Sequence, residues 1–578
     1  MRALARAVAL AGAVTVLIAG CTGIPTKSSP QVIGPVGGTS PSVAPTIGPT
    51  AGADPRSIVK GFLAASATSD QHHVAAKSFL TADARSLWKD TTVTVVDSEL
   101  VGNFNAADST VTVSGRQLGS INAAGVYSPV LKGAGDGGDV VPISFGLRRV
   151  SNEWRIDSLN PGILIGSEEF QRLYQQRSLY FMNRAGDGLV PDPRFTALVE
   201  PSDLATWLVA QLAAGPRPEL QDAVSTGLPA QTDPGRVGVT IGAVTVVEVP
   251  GASQLDAATR NQLAAQLSQT LQPVVGQAAV EITDGGKPVT VPAVGTSEFT
   301  AAQFASLSAP SSLAPRLYYL LTNGGLVDST GKPVAGQIGA GGYNLTSVAV
   351  AATATSDAAV AGTNGPAADE RLVIGSVRTG LRATAVHGQL SRPAWAPRMG
   401  EVWVGDGAAV YRANAAGHAT LVPLSASVGT IAGHVRAIRL SPEGSRVAIV
   451  LAARDGTAQV WVGSVVRNAG QVRVDSLEPI TPLGEVISDV AWNDQLKLFV
   501  IGKSSLTNDT NIFVVQVDGS LWTLRSSANL PADPETITVA SGAPAWVSVG
   551  TTVWTQPGSS WASPGNDVTY GTDPVYAE

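Results

Sequence analysis

Few side chains in this chain could do covalent or metal chemistry, since its 578 residues include one cysteine and five histidines. The cysteine is Cys21, and the histidines stand at positions 72, 73, 387, 418 and 434. A lone cysteine cannot form an intramolecular disulfide, and a zinc site of clustered Cys and His ligands is ruled out. Sites built from carboxylate or carbonyl oxygens stay open. The thiol of Cys21 is therefore the candidate for covalent chemistry.

Cys21 directly follows a short apolar segment at the amino terminus. Arg2 and Arg6 precede an apolar run at 7–20, which is the layout of a secretory signal. A helix of that length spans roughly 21 Å, which is less than the ~30 Å hydrocarbon core of a bilayer. We therefore predict a signal peptide at 1–20, cleaved between Gly20 and Cys21.

The segment Leu17-Ile18-Ala19-Gly20-Cys21 resembles the lipobox of bacterial lipoproteins. Small residues before the cysteine let the signal peptidase reach the backbone, and a thiolate is the nucleophile that takes up diacylglycerol. The resemblance implies that Cys21 becomes an N-acylated, S-diacylglyceryl residue that carries palmitate. Because several acyl chains give stable anchoring, we expect the mature chain on the extracytoplasmic face of the cell membrane. The alternative is a chance cysteine in an ordinary signal or membrane anchor.

A tether is predicted to follow the lipidated cysteine. Gly, Pro, Ser and Thr make up 21 of the 32 residues at 22–53. Such a composition buries too little apolar surface to offset the entropy lost on ordering. We therefore predict that 21–53 is a flexible spacer between the lipid surface and the folded part of the chain.

The overall composition excludes some classes of function. The 38 basic and 45 acidic residues give a formal charge of −7, so the chain lacks the basic field that attracts nucleic-acid phosphate. We expect no nucleic-acid partner. The most apolar later stretch, at 345–362, is interrupted by Thr346, Ser347 and Asp357 among others, and it does not predict a membrane span.

Helices followed by strands are predicted at 54–165, which we call the N-terminal region. Asp54 and Pro55 suit the start of a helix, and two further helical stretches follow, the last capped near Thr81 or Asp83. Strands are predicted at 91–96, 110–113, 126–131, 140–147 and 153–156. Helices before an antiparallel sheet indicate an α+β fold, and this layout resembles the NTF2-like group.

Helix and strand signals alternate at 166–298, which we call the middle region. Ser202 is predicted to cap a helix that Gly215 ends, and 254–271 predicts a second helix. Residues 237–249 predict a strand or a hairpin. A hairpin is predicted around Asp284-Gly285-Gly286, between strands at 280–282 and 289–291. Four segments resemble a GerMN domain: LAAGP at 212–216, GLP at 227–229, QLSQTL at 266–271 and VEITDG at 280–285. The GerMN resemblance implies an envelope or spore-germination protein and brings no catalytic residues with it.

Only strands and turns are predicted at 314–578, which we call the C-terminal region. Similar segments recur at 345–350, 390–395, 435–440 and 487–492, with a shorter copy near 537. Their spacings of 45, 45, 52 and about 50 residues match one four-stranded propeller blade each. Strands at 317–321, 325–328 and 568–576 are predicted to join as one composite blade. This predicts an all-β propeller of six blades, with five or seven blades or a pair of β-sandwiches as alternatives.

Catalytic motifs are missing from the sequence. It contains no G-x-S-x-G, H-E-x-x-H or Walker A motif. The glycine-rich segment at 133–138 fits G-x-G-x-x-G, but a strand follows it and not a helix, so we interpret it as a hairpin loop. His72 and His73 point apart as neighbours, so we interpret them as a solvated helix start and not as a ligand pair. Glu168 and Glu169 are interpreted as surface residues. Eight tryptophans of the C-terminal region are expected to pack between sheets, with one or two free to stack on a sugar or a partner. They are Trp395, Trp403, Trp461, Trp492, Trp522, Trp546, Trp554 and Trp561.

The order of lipobox, tether, N-terminal region, GerMN-like region and propeller resembles the actinobacterial LpqB lipoprotein family over the mature chain. The resemblance implies a non-enzymatic accessory partner of a two-component sensor kinase, contacting the extracytoplasmic domain of MtrB in cell-envelope homeostasis. We expect no catalytic residue, cofactor or metal. The alternative is an envelope glycan-binding protein or hydrolase that uses the NTF2-like cavity or the propeller channel.

Overall fold

A computed structural model of the chain describes residues 48–578, apart from 69–72, 98, 99, 101, 131–139, 231, 309–313, 354, 356, 427–432, 469, 482–484, 505–507, 526, 528 and 566–569. The predicted signal peptide, Gly20 and Cys21, most of the tether, His72 and the loop at 133–138 lie outside the described residues. Within the described part, no helix is both long and apolar enough to cross a bilayer. The described residues belong to one compact unit.

Three helices open the N-terminal region, at Pro55–Ser66, Val74–Lys77 and Ala82–Leu87. The carboxylate of Asp54 accepts hydrogen bonds from the amides of Arg56 (3.0 Å) and Ser57 (3.2 Å), which confirms the predicted cap. The hydroxyl of Thr81 caps the third helix by accepting from the amide of Ala84. The apolar face of the first helix is buried against the sheet that follows.

Seven strands form the sheet of the N-terminal region: Val93–Val96, Gly102–Asn105, Thr110–Ile121, Tyr127–Pro129, Val140–Val150, Glu153–Ser158 and Ile163–Gly166. Val93–Val96 pairs antiparallel with Thr110–Ile121 but parallel with Ile163–Gly166. The expectation of a purely antiparallel sheet is therefore wrong at this pair. The other strands of the sheet separate these two along the chain, so no hairpin fixes their relative direction.

The middle region alternates helices with short strands. Its helices are Ser167–Leu173, Pro201–Ala214 and Ala257–Val275, with 3-10 turns at Pro218–Leu220 and Ala252–Gln254. A 3-10 turn at Ala301–Phe304 and a helix at Ala305–Ser308 lie between this region and the C-terminal region. Its strands are Gln175–Asn183, Leu189–Thr196, Val224–Ser225, Gly238–Thr240, Val244–Glu248, Ala279–Asp284, Lys287–Pro288 and Glu298–Phe299. Ser202 does not cap its helix: Glu200 holds the N-cap position and Pro201 begins the first turn, where its fixed φ suits the helix. Gly215 ends that helix with a φ of 97°, as predicted.

Both places in the middle region where the sequence allows a hairpin contain one. Gly238–Thr240 pairs with Val244–Glu248. The second hairpin turns at Gly285 and Gly286, whose φ angles of 60° and 73° lie in the left-handed region that such a turn requires. Because two residues make the turn, the returning strand is Lys287–Pro288 and not 289–291 as expected.

The C-terminal region is built almost entirely from strands, with one helical turn at Gly336–Gly339 that the sequence did not predict. A three-stranded sheet joins Leu317–Leu320, Leu326–Asp328 and Thr572–Tyr576. Two four-stranded sheets follow, made of Leu345–Val350, Ala359–Asn364, Glu370–Ser376 and Gly380–Gly388, and of Ala394–Ala396, Glu401–Asp406, Ala409–Asn414 and Ala419–Val422. A nine-stranded sheet contains Leu424–Ala426, His434–Leu440, Arg446–Ala452, Ala458–Asn468, Gln471–Pro479, Glu485–Trp492, Lys497–Ser504, Thr510–Gln516 and Trp522–Arg525. Thr536–Thr538, Ala545–Val549 and Thr552–Gln556 form another three-stranded sheet.

The repeat read from the sequence is visible in the strand pairing. Register shifts occur between Leu345 and Ser347, between Val435 and Ala437, and between Ile487 and Asp489. These are the first and third positions of three repeat segments, so the same irregularity recurs at the same place. A shift of this kind bends a strand and re-aims its side chains.

The two ends of the C-terminal region pair with each other. Leu317 lies opposite Tyr576 and Tyr318 lies opposite Val575 in an antiparallel arrangement. The predicted pairing of the last strand with the first is therefore confirmed. The observed strand begins at Thr572, and residues 566–569 lie outside the described part of the chain.

Candidate functional site

Five ionisable side chains meet where strands from several sheets of the C-terminal region converge. They are Arg392, Arg439, Asp489, Asp573 and Glu578. Asp489, Asp573 and Arg439 are only 2%, 4% and 6% exposed. Charges are seldom buried to this extent unless they are paired.

Arg392 is the centre of this group. Its Nη1 lies 2.5 Å from Oδ2 of Asp489, its Nε contacts Oδ1 of Asp573, and its Nη2 donates to the carbonyl of Pro574 at 3.0 Å. Arg392 thereby connects strands that are far apart in the chain.

The two carboxylates extend the connection to further sheets through backbone amides. Asp489 Oδ2 accepts from the amide of Ile537 at 2.9 Å, and Asp573 Oδ2 accepts from the amide of Val348 at 2.5 Å. Burial raises the pKa of Asp573, although Arg392 opposes that shift. The group therefore links five sheets, and we call it the central charge cluster.

A cavity of about 310 Å³ opens beside the central charge cluster. Arg316, Arg439, Trp492, Tyr576 and Glu578 line it, together with prolines, alanines, two aliphatic residues and a few hydroxyl and amide side chains. Glu578 Oε2 accepts from the amide of Trp395 at 2.7 Å. Glu578 is partly exposed as a residue and lines the cavity, and burial raises the pKa of its side-chain carboxyl to about 6.

The lining of the cavity suits ligand binding. Its described residues include no histidine or cysteine, and Glu578 is the carboxylate among them. In the described part of the chain, no three His, Cys, Asp or Glu residues are grouped so that they could hold a metal ion. Two arginines, one carboxylate and aromatic walls can orient a ligand.

A second buried charged group joins the middle region to the C-terminal region. Arg446 is 4% exposed, lies 3.1 Å from Oε1 of Glu443 and donates through Nη2 to the carbonyl of Pro191 at 2.5 Å. Gln495 Nε2 donates to the carbonyl of Leu189 at 2.9 Å. The strand Leu189–Thr196 is therefore fixed to the C-terminal region by its own backbone.

The same strand also carries a buried carboxylate that is paired with two arginines. Asp192 is fully buried and lies 2.7 Å from Arg194 and 3.1 Å from Arg217. A cavity of about 330 Å³ adjoins this point, with Tyr127 from the N-terminal region, Arg217 from the middle region and Asp518 from the C-terminal region in its lining. Burial raises the pKa of Asp518. All three regions meet here, and we call the contacts around Arg446 and Asp192 the regional junction.

Most residues singled out in the sequence are structural where they are described. Glu168 is exposed and Glu169 pairs with Arg172 at 2.8 Å, which confirms the surface interpretation. His73 is buried beside the ring of Trp88 and lies 3.9 Å from a carboxylate oxygen of Asp90. His73 precedes a short helix, as predicted. Its side chain is buried and not exposed to solvent, so the prediction of a solvated helix start is wrong for this residue.

The expected packing of the tryptophans is confirmed. Five of them are buried and the other three are partly buried against the same clusters; the buried ones are Trp395, Trp403, Trp492, Trp546 and Trp561, and the others are Trp461, Trp522 and Trp554. Trp492 also lines the cavity. Sequence reasoning did not find the central charge cluster, although one signal was present. Arg392 and Asp489 both occupy the third position of a repeat segment, where two other repeats have Ser347 and Ala437.

Three family models match successive parts of the chain. The model of the LpqB lipoprotein N-terminal domain matches residues 48–171, and the model described as sporulation and spore germination matches residues 178–290. The model of the LpqB β-propeller domain matches residues 321–577. The predicted regions follow the same order.

Solved structures resemble the chain only distantly. TolB from Acinetobacter baumannii is 10% identical with a TM-score of 0.33, covering 72% of this chain and 86% of its own. A chain from a nidogen/laminin complex is 12% identical with a TM-score of 0.34, and the match covers 46% of this chain and 99% of that chain. TM-scores this low do not establish a shared fold.

Relatives with a common name align over most of the chain. Lipoprotein LpqB of Mycolicibacterium smegmatis is 33% identical over 459 residues, which are 75% of this chain and 76% of the relative. Lipoprotein LpqB of Mycobacterium tuberculosis is 29% identical over 593 aligned positions, covering 97% of each chain. Lipoprotein LpqB of Rhodococcus opacus is 29% identical, and the alignment covers 91% of this chain and 89% of the relative. Together with the family models, these alignments establish that the chain belongs to the LpqB family of lipoproteins.

Proposed function

We propose that this lipoprotein acts by contact, as an accessory partner of a two-component sensor kinase of the MtrB type in cell-envelope homeostasis. The observation that carries the proposal is the regional junction. Buried charges and backbone hydrogen bonds hold the middle region against the C-terminal region, so the loops of both form one fixed surface. A fixed surface favours association, since less conformational entropy is lost on binding.

The proposal includes the placement of the chain at the membrane. The lipobox-like segment supports cleavage after Gly20 and lipidation of Cys21 with palmitate, and the composition of 21–53 supports a flexible tether. A partner in the same membrane would meet the tethered chain at a raised effective concentration. An interface of moderate size then suffices for a functional contact.

The proposal also includes the finer features of the fold. An NTF2-like N-terminal region is supported by helices that precede the sheet. Six propeller blades are supported by the five sheets of the C-terminal region, of which the first is composite and the nine-stranded one has enough strands for two blades, and by the pairing of Leu317 with Tyr576. Closure in this way would leave the propeller only the short, protected edges of its outermost strands.

A second function is favoured by the cavity beside the central charge cluster. Its aromatic residues Trp492 and Tyr576 are of the kind that stack on sugar rings, which fits an envelope glycan-binding protein. Binding of soluble cell-wall oligosaccharides, lost on Trp492→Ala, would support this candidate over the first.

The experiment that tests the first function is photo-crosslinking in intact cells. A photoreactive residue placed at an exposed position of the C-terminal region, such as Leu421 on the strand Ala419–Val422, should capture the sensor kinase. The matched control carries the same residue at exposed Leu87 in the N-terminal region, away from the regional junction. Capture of the kinase at neither position, with unchanged kinase output in a deletion strain, would contradict the proposal.

A further inference from the structure

We propose that the cavity bounded by Arg439, Trp492 and Glu578 binds a small zwitterionic ligand of the amino-acid or short-peptide class. This inference is independent of the kinase partnership. It rests on the charges that face the cavity, on the apolar character of its walls and on its size.

Arg439 supplies unused hydrogen-bond donors. Its guanidinium has five N–H groups, of which one donates to the neighbouring carbonyl of Ile438 at 2.7 Å. The nearest carboxylate oxygen, Oδ1 of Asp489, lies 3.8 Å away, which is too far for a hydrogen bond. The other oxygen of Asp489 is already engaged by Arg392 and by the amide of Ile537. Arg439 can therefore accept a carboxylate from a ligand.

Glu578 supplies the opposite charge in the same cavity. Its Oε2 accepts from the amide of Trp395, and its main-chain oxygen accepts from the amide of Ala352. Glu578 is partly exposed and lines the cavity, so Oε1 can accept from an ammonium group. A simple anion would be repelled by Glu578, and a simple cation would be repelled by Arg439 and by Arg316, the second arginine of the lining. A ligand that carries both charges satisfies both residues, and buried charges require such pairing.

The walls of the cavity favour an apolar part beside the charges. The indole nitrogen of Trp492 donates to the carbonyl of Arg439 at 3.0 Å, and the hydroxyl of Tyr576 donates to the carbonyl of Pro544 at 2.8 Å. Their polar atoms are thus engaged, which leaves ring surface to face a ligand. Pro397, Pro442 and several alanines extend this surface.

The size of the cavity limits the ligand. Its volume of about 310 Å³ lies at the lower end of the range of small-molecule sites. An amino acid with an apolar side chain or a very short peptide matches this volume.

Calorimetric titration of the lipid-free mature chain, residues 22–578, tests the proposal with the dipeptides Ala-Ala, Ala-Leu and Ala-Phe and with free leucine. We expect at least one of them to bind with a dissociation constant below about 1 mM. Its N-acetylated and C-amidated forms, which each lose one charge, should bind at least about tenfold more weakly. Absence of binding by all four probes, or equal binding of the charged and blocked forms, would overturn the proposal.

Variants assign the binding to the cavity. Glu578→Gln keeps an acceptor for the Trp395 amide but removes the charge, and Arg439→Lys keeps the charge but removes the planar guanidinium. Each should weaken the zwitterion at least about tenfold. The control is Arg436→Gln, on the same strand as Arg439 but outside the cavity lining, where its guanidinium contacts the carbonyl of Ile487. If Glu578→Gln retains its thermal unfolding transition and yet binds like the control, the proposal is wrong.

Discussion

Arg392 Nη1 donates to Oδ2 of Asp489 across 2.5 Å, although the two residues are 97 positions apart in the chain. Arg392 precedes the strand Ala394–Ala396, and Asp489 lies on the strand Glu485–Trp492 of a different sheet. The C-terminal region is therefore held together at its centre by charge pairing as well as by apolar packing between its sheets.

Replacing Arg392 should destabilise the whole C-terminal region. Arg392→Met would leave Asp573 buried without its ion-pair partner and Asp489 with only Arg439, 3.8 Å away. Breaking buried pairs of this kind costs about 3–5 kcal/mol. We expect the free energy of unfolding, measured by urea denaturation, to fall by that amount. Arg378→Met is the control, since the exposed pair of Arg378 with Asp357 contributes at most about 1 kcal/mol. Equal effects of the two substitutions would contradict a stabilising role for the central charge cluster.

Replacing Arg446 should loosen the regional junction. Arg446→Met removes the hydrogen bond to the carbonyl of Pro191 and leaves Glu443 buried without its partner. We expect faster amide hydrogen exchange in the strand Leu189–Thr196, because its contact with the C-terminal region is lost. The exposed pair of Arg473 with Asp222 provides the control, and Arg473→Met should leave that exchange nearly unchanged. Unaltered protection of the strand in Arg446→Met would show that the junction does not depend on this residue.

Stability should depend on pH through Glu578. Burial raises the pKa of this carboxyl from 4.5 to about 6, so the folded state holds the proton more tightly than the unfolded state. The resulting stabilisation is present below pH 4.5 and is lost as the pH rises through 6. Glu578→Gln cannot titrate. Relative to the unaltered chain, its free energy of unfolding should therefore improve by about 1–2 kcal/mol between pH 4.5 and 7. A constant difference across that range would mean that Glu578 titrates normally.

Lipidation should depend on Cys21 alone. Cys21→Ser removes the sulfur that would receive diacylglycerol, so the protein should accumulate as an unprocessed precursor or leave the membrane fraction. Fractionation and mass spectrometry of the amino terminus measure this directly. Thr22→Ser, next to the same cleavage site, should behave like the unaltered chain. Normal processing of Cys21→Ser would disprove the lipobox interpretation.

The parts of the fold that follow from local sequence could be predicted. The cap at Asp54, the turn at Gly285 and Gly286 and the first strands of the repeats all rest on the physical preferences of a few adjacent residues. The strand Gly102–Asn105 was missed because it lacks an apolar alternation and is half exposed. The parallel pairing of Ile163–Gly166 was missed because strand direction is a property of the whole sheet.

The candidate site depended more on contacts between distant residues. The repeat itself marks Arg392 and Asp489, since each places a charge where other repeats have a small residue. Asp573 follows the repeats, on the strand that pairs back to the beginning of the region, so no repeat register marks it. The bond from Arg446 to Pro191 ends on a backbone carbonyl, which every residue type possesses. A sequence pattern cannot indicate such a partner.

We propose that this lipoprotein acts by contacting a sensor kinase, and direct titration of the two proteins tests this proposal best. The lipid-free chain, residues 22–578, is titrated against the isolated extracytoplasmic domain of an MtrB-type kinase by calorimetry. We expect saturable binding at micromolar concentration. Binding should be weaker in Arg446→Met, because the middle and C-terminal regions of that variant no longer share one surface. Absence of binding at concentrations near 1 mM, about a thousandfold higher, would contradict it.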